Sequence, residues 1–187
     1  MAVATAAAID PTDQRMGRNK TEATTQELPR ILVVRLSSMG DVIHSMPAVA
    51  ALREAVPEAT IGWMIDERWA ELLCSASAAR CGPRFAGRPL VDAVHGVNMG
   101  AWRRALLSDE TWREVLASRR EIRDQHYDIA IDLQGAMRTA VMARWVGVGD
   151  TIGFDRPREY PASLFTPGVW KLAEFTLLSR TCRWWRH

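Results

Sequence analysis

The sequence of 187 residues contains few cysteines and no long apolar run. Its cysteines, Cys74, Cys81 and Cys182, are odd in number and lack the paired spacing of zinc or redox motifs, so neither a disulfide framework nor a metal site is indicated. No stretch approaches the roughly 18 to 20 uncharged apolar residues of a membrane span, and the N-terminus lacks the basic-then-apolar order of a signal peptide. These absences predict a cytoplasmic protein.

Lysine is also scarce, because only Lys20 and Lys171 among the 24 basic residues are lysines and the others are arginines. Arginine binds phosphate and carboxylate groups through a planar fork of N–H donors, although a GC-rich genome produces the same excess. The formal net charge is only +2, which argues against the broad basic field of a nucleic-acid-binding protein.

The first 29 residues are rich in Ala, Thr and Gln and show no hydrophobic period, which predicts a disordered leader over residues 1–29. From residue 30 to about 165, short apolar runs alternate with amphipathic segments. Strands are predicted over 31–34, 60–65, 91–97, 127–133 and 151–154, and helices over 41–57, 67–76, 109–125 and 136–145. This alternation predicts an α/β fold, a Rossmann-like parallel sheet with flanking helices.

Ligands of open parallel sheets bind beyond the carboxyl ends of the strands, so two predicted loops are of interest, Ser37–Asp41 and Asp132–Gly135. Gly40 allows close approach of the backbone to a ligand. Asp41, at a helix start, could take a proton from an attacking hydroxyl as a general base. Helix capping by Asp41 is the competing interpretation, with about equal weight.

Further along the chain, His44 follows Asp41 by about one helical turn and could face the same site, although a hydrogen-bonded core or boundary role is commoner for such a histidine. Several arginines could form an anion-binding rim: Arg103, Arg104, Arg138, Arg156 and Arg158. A solvated surface position is the alternative for each, and Arg138 and Arg158 gain weight because they follow predicted strand ends.

Residues 31–47, reading ILVVRLSSMGDVIHSMP, resemble the opening of the lipopolysaccharide heptosyltransferases of glycosyltransferase family 9. The resemblance continues in WMIDE at 63–67, in YDIAIDLQG at 127–135 followed by Arg138, in Arg158-Glu159, and in ASLF at 162–165. It covers roughly residues 30–165 and is weak between 74 and 90.

The resemblance implies a glycosyltransferase of the GT-B type, in which two Rossmann-like domains face one another across a cleft and no metal or other cofactor is needed. Residues 30–165 would be the N-terminal, acceptor-binding half, and ADP-heptose would bind the other half. The acceptor would be lipid A that carries Kdo, with peripheral contact at the cytoplasmic face of the inner membrane as a further implication.

Within this family pattern, Asp41 matches the general base that deprotonates a Kdo hydroxyl as it displaces ADP with inversion. Residues that match the acceptor-binding surroundings are Ser37, Ser38, Met39, Gly40, His44, Arg103, Arg104, Arg138 and Arg158.

The resemblance stops after Phe165, whereas a family member needs about as many residues again for its donor domain. Residues 166–187 hold three of the eight tryptophans, Trp170, Trp184 and Trp185. Residues 169–171, written GTG TGG AAG, contain GTG GAA in another frame, which encodes Val-Glu. We therefore expect a frameshifted or truncated gene product with an aberrant tail over 166–187 and a missing donor domain, rather than a natural single-domain enzyme.

Such a chain would be inactive as a heptosyltransferase. The alternative function is a non-catalytic remnant or a module that binds anionic glycolipid. A third hypothesis is an unrelated nucleotide-binding domain that holds phosphate in the Ser37–Asp41 loop. The negative charge of Asp41 argues against it, because it would repel phosphate.

Overall fold

The computed structural model describes residues 28–154 and the backbone of residues 168–170. The predicted disordered leader, apart from Leu28 and Pro29, and most of the predicted tail lie outside these residues. Arg156 and Arg158 lie outside them as well.

The described residues form a six-stranded sheet in the order β3-β2-β1-β4-β5-β6. Every pair of neighbouring strands is parallel. The strands are β1 (Arg30–Val34), β2 (Thr60–Asp66), β3 (Ala93–Val97), β4 (Ile129–Asp132), β5 (Asp150–Phe154) and β6 (Gly168–Trp170). This is the strand order of a Rossmann sheet, so the predicted fold class is confirmed.

Strand β1 lies at the centre of the sheet, between β2 and β4. Its last four residues are buried, because helices cover both faces of the sheet, and this accounts for the unbroken apolar run that predicted it. Side chains alternate between the faces: Val33 packs with Ile61 and Trp63 in one core, and Leu32 packs with Met64 in the other.

The helices follow the predicted pattern with two differences. They are α1 (Met39–Ala55), a 3-10 helix (Glu67–Leu72), α2 (Met99–Arg104), α3 (Asp109–Arg123) and α4 (Met137–Trp145). The segment predicted as a helix over 67–76 is a shorter 3-10 helix, whose first turn is tightened by the Asp66 side chain accepting the N–H of Arg68. Helix α2 was not predicted, since six residues are too few to show a helical period.

Helix α1 runs through Pro47, which lies on its exposed side. Because α1 begins at Met39, Pro47 does not mark the start of the helix. No helix in the described part of the chain is both long enough and apolar enough to span a bilayer.

The irregular segment between the 3-10 helix and β3 is organised by Arg88, which is almost completely buried. Its guanidinium donates to four backbone carbonyl oxygens, those of Ala79, Gly82, Pro83 and Val91, at 2.9–3.2 Å. A charged donor shared by four carbonyls supplies order where repetitive backbone pairing is sparse.

Candidate functional site

Asp41 is the third residue of α1, directly beyond the carboxyl end of β1. Ser38 is the N-cap residue, with extended backbone, and its N–H donates to Asp41 Oδ2 at 3.0 Å. The Ser38 hydroxyl lies 3.3 Å from the same oxygen. Asp41 therefore takes part in capping α1 as the third helical residue of a capping box, although Ser38, and not Asp41, is the N-cap residue.

Asp41 also pairs with Arg35, whose Nη2 lies 3.0 Å from Asp41 Oδ1. The Arg35 guanidinium additionally donates to the carbonyl of Leu133 at the end of β4, which fixes its position. The hydrogen bond from the Ser38 N–H holds the pKa of Asp41 below its ordinary value; partial burial opposes this, and Arg35 reinforces it. The Asp41 side chain remains 40% exposed, so an ionised carboxylate faces solvent.

Asp132, the carboxylate of the second predicted loop, has a different role. It is buried and accepts the N–H groups of Gln134 and Gly135 at 2.8 and 3.1 Å and the Thr139 hydroxyl at 3.1 Å. Burial raises its pKa despite these bonds. Gln134 in turn accepts the N–H of Leu36 at 3.0 Å, so this carboxylate shapes the β4–α4 turn and joins it to the β1–α1 loop.

A small cleft of about 120 Å³ opens beside the β1–α1 loop. Its lining comprises Leu36, Ser37, Asp66, Arg68, Met99, Gly100, Arg103 and Arg138. Two of the predicted rim arginines, Arg103 and Arg138, therefore line the same cleft, and Arg138 reaches the Ser37 hydroxyl at 3.4 Å. The guanidinium of Arg68 holds Asp66 at 2.9 and 3.0 Å.

The other predicted site residues surround this edge less closely. Arg104 is exposed at the end of α2 and is not part of the cleft lining, and Arg158 lies beyond the described residues. His44 is exposed on α1, three residues after Asp41 and therefore on the same side of the helix. Met39 and Gly40 are exposed, and a Cβ built at Gly40 would meet nothing within 4 Å, which leaves the approach to the loop open.

Sequence reasoning missed Arg35, Asp66 and Arg68 as parts of this site. Arg35 follows β1 directly, and Asp66 is the last residue of β2. Both therefore satisfied the strand-end criterion that singled out Asp41 and Asp132. The arrangement as a whole places a solvent-facing, ionised carboxylate next to a cleft with arginines, which suits proton abstraction close to a bound anion.

Comparison with known proteins shows which family this chain resembles in sequence. Residues 115–174 match the family model of glycosyltransferase family 9 (heptosyltransferase). Lipopolysaccharide heptosyltransferase 1 of Pseudomonas aeruginosa is 33% identical over 141 residues, which are 73% of this chain and 36% of that protein. The protein of the same name from Salmonella typhimurium is 34% identical over 73% of this chain and 40% of its own length. The chain thus spans about two fifths of the curated relatives that it matches.

Solved structures give the same result for the fold. The E. coli heptosyltransferase WaaC with ADP-2-deoxy-2-fluoro heptose superimposes with a TM-score of 0.63 and 28% sequence identity, over 81% of this chain and 47% of that one. The same enzyme with ADP superimposes with a TM-score of 0.63 at 26% identity, over 84% of this chain and 49% of that one. By sequence and by fold, this chain is a relative of the heptosyltransferases of glycosyltransferase family 9.

Proposed function

We propose that this chain is the acceptor-binding part of a lipopolysaccharide core heptosyltransferase, which transfers heptose from ADP-heptose to a Kdo residue of lipid A with inversion. The observation that carries the proposal is the Asp41 carboxylate, kept ionised by Ser38 and Arg35 and facing solvent at the carboxyl edge of the sheet. The reaction takes place in the cytoplasm, with peripheral contact at the inner-membrane surface.

In the proposed step, Asp41 accepts the proton of a Kdo hydroxyl while that oxygen attacks the anomeric carbon of the heptose. The new glycosidic C–O bond forms as the bond to the β-phosphate oxygen breaks, and ADP leaves with the bonding electron pair. A carboxylate of lowered pKa is a weak base, so it takes the proton as the C–O bond forms rather than in a separate earlier step. Its lowered pKa keeps the carboxylate ionised at neutral pH, and therefore able to accept a proton.

Recognition of the acceptor is assigned to the cleft and its rim. Kdo carries a carboxylate and lipid A carries phosphates, and both are ligands for the forked N–H donors of arginine. Arg103 and Arg138 line the cleft, and Arg104 follows Arg103 at the end of α2. Among the described residues, no carboxylate forms an ion pair with Arg103 or Arg104, so their charges are available to a ligand.

The donor is assigned to a second domain of the GT-B arrangement, which would face the carboxyl edge of this sheet. The E. coli relative is known with ADP and with an ADP-heptose analogue, which supports ADP-heptose as the donor class. We predict that the 187-residue chain alone has no heptosyltransferase activity. ADP release that depends on both ADP-heptose and Kdo-bearing lipid A, measured with this chain alone, contradicts it.

Binding of a Kdo-bearing lipid A fragment to the 187-residue chain tests the acceptor assignment directly. We expect Arg103→Gln and Arg138→Gln each to weaken binding about tenfold, the usual effect of losing one charge-assisted hydrogen bond. Arg113→Gln, an exposed arginine on α3 outside the cleft lining, is the matched control and should change nothing.

Equal affinity of all three variants would mean that the cleft does not bind the acceptor. To separate an enzyme from a module that only binds glycolipid, heptose transfer is measured with a donor-binding domain supplied. Binding without transfer under those conditions favours the module.

A further inference from the structure

A second cluster of chemically reactive side chains lies outside the cleft, where α3 covers β3. It consists of Cys81, His95 and Glu121, and one ligand atom from each lies within 4.8 Å of the others. The candidate active site uses none of these residues.

Topology brings these three residues to one place. Cys81 forms an isolated antiparallel bridge with Ala93 on the outer edge of β3, which is one of the two edge strands of the described sheet. Bridged residues share a face, and so do residues two apart on a strand, so Cys81 and His95 lie on the same face of the sheet. Glu121 comes from α3, and its Oε1 lies 2.7 Å from His95 Nδ1.

We propose that Cys81 Sγ, His95 Nδ1 and a Glu121 carboxylate oxygen bind a divalent cation of the zinc class, with water in the fourth tetrahedral position. Thiolate, imidazole and carboxylate are the ligand types that zinc takes in proteins, and three protein ligands with one open position is a common zinc arrangement. The ion would take the place of the hydrogen bond between Nδ1 and Glu121. The Glu121 side chain is 52% exposed, which allows it to move outward as the ion enters.

The surroundings of His95 support this assignment. The imidazole is 1% exposed, and its Nε2 lies 2.8 Å from the Tyr127 hydroxyl. A ligand histidine generally donates its second ring N–H to a fixed acceptor, which sets the tautomer and aims the other nitrogen at the metal. Tyr127 is itself buried, and its hydroxyl is held over Gly62.

The two neighbouring arginines, Arg80 and Arg88, form their hydrogen bonds with groups other than the three proposed ligands. The Arg80 guanidinium forms two hydrogen bonds with Glu67, one of them at 2.8 Å, and Arg88 donates to four carbonyl oxygens. Arg88 binds the carbonyls of Gly82 and Pro83, directly after Cys81, and therefore orders the backbone that carries the thiol. A bound ion would tie this irregular segment to α3 and stabilise the edge of the sheet.

The test uses the purified, metal-free 187-residue chain titrated with Co²⁺ and then Zn²⁺. We expect one Co²⁺ per chain with a sulfur-to-cobalt charge-transfer absorption, displacement of Co²⁺ by Zn²⁺, and a higher melting temperature with Zn²⁺. Cys81→Ser should abolish the charge-transfer band. Glu121→Gln and Tyr127→Phe should each weaken Zn²⁺ binding by about 10- to 100-fold, Glu121→Gln as a lost ligand and Tyr127→Phe as a lost orienting partner.

Cys74→Ala and Cys182→Ser are the matched controls, and both should retain the band. Circular dichroism of each metal-free variant verifies that it is folded, and Glu121→Gln, a change at an exposed side chain, provides the measurement if Cys81→Ser does not fold. No band in the folded wild-type chain overturns the proposal. A band that survives Cys81→Ser overturns it too, as does Zn²⁺ affinity that Glu121→Gln leaves unchanged.

Discussion

The Arg35 guanidinium lies 3.0 Å from the Asp41 carboxylate and joins the end of the central strand to the first turn of the helix that follows. The same guanidinium binds the carbonyl of Leu133 at the end of β4. Arg35 is only 13% exposed, so water competes little for it. The pair therefore holds the proposed base in place relative to two neighbouring strands. It also favours the ionised form of the Asp41 carboxylate.

Replacing Arg35 by Gln should raise the pKa of Asp41 toward its ordinary value, because one of the interactions that favour the ionised form is lost. A lowered folded-state pKa adds stability at pH values above the ordinary carboxyl pKa, and this contribution is lost as the pH falls through the folded-state pKa. The variant should therefore be less stable at neutral pH, and its smaller acid-side loss of stability should be complete at a higher pH. NMR titration of the Asp41 carboxyl carbon measures the pKa, with Arg113→Gln as the control; an unchanged pKa contradicts the role of Arg35.

Replacing Arg88 by Met should destabilise the domain by roughly 3 kcal/mol or more, because four carbonyl oxygens lose a charged donor inside the protein. The control is Arg84→Met in the same segment, an exposed arginine whose contact with Asp92 is 3.4 Å long. It should cost about 1 kcal/mol or less. Urea denaturation of both variants checks the difference, and equal midpoints would mean that Arg88 does not organise the segment.

Gly62 permits the close approach of Tyr127. A Cβ built at Gly62 would lie 1.9 Å from the Tyr127 hydroxyl oxygen, whereas a Cβ at Gly100 would meet nothing within 4 Å. Gly62→Ala should therefore cost about 1–3 kcal/mol as Tyr127 is displaced, and Gly100→Ala should be neutral or stabilising. Melting temperatures of the two variants provide the comparison, and similar values contradict a tight contact over Gly62.

Sequence patterns predicted the fold and the loop between β1 and α1 because both depend on short-range features. The buried central strand is a run of apolar residues over 31–34, and the polar turn after it places Asp41 at the carboxyl edge. The 3-10 helix was predicted as a longer helix, since its form depends on a single side-chain contact, that of Asp66 with the Arg68 N–H. Helix α2 was missed because six residues are too few to show a helical period.

Side-chain clusters assembled from distant segments were less accessible. Absence of paired cysteine spacing argued against a metal site, yet the fold brings Cys81 together with His95 and Glu121, the last two separated by 26 positions. The two carboxylates of the predicted loops looked equivalent in sequence, and burial alone gives Asp132 a structural role and leaves Asp41 at the surface. Both distinctions arise from tertiary contacts that no local pattern encodes.

The general-base assignment is tested by Asp41→Asn in a protein with the donor-binding domain supplied. Asn keeps an oxygen that can accept the Ser38 N–H, now at 3.0 Å, but it cannot accept the substrate proton. Turnover should fall by roughly 10² to 10⁴, the usual contribution of general-base catalysis, with only a small loss of stability from the broken ion pair with Arg35. Asp41→Ala removes the hydrogen bond as well and should also lose about 1 kcal/mol of stability, as when a helix-terminal side-chain bond is deleted.

If Asp41 served only to close the first turn of α1, the Asn variant would turn over at the wild-type rate, and only the Ala variant would show the additional loss of stability. Steady-state rates and melting curves of the three proteins distinguish these outcomes, and wild-type turnover in the Asn variant ends the assignment of Asp41 as the base.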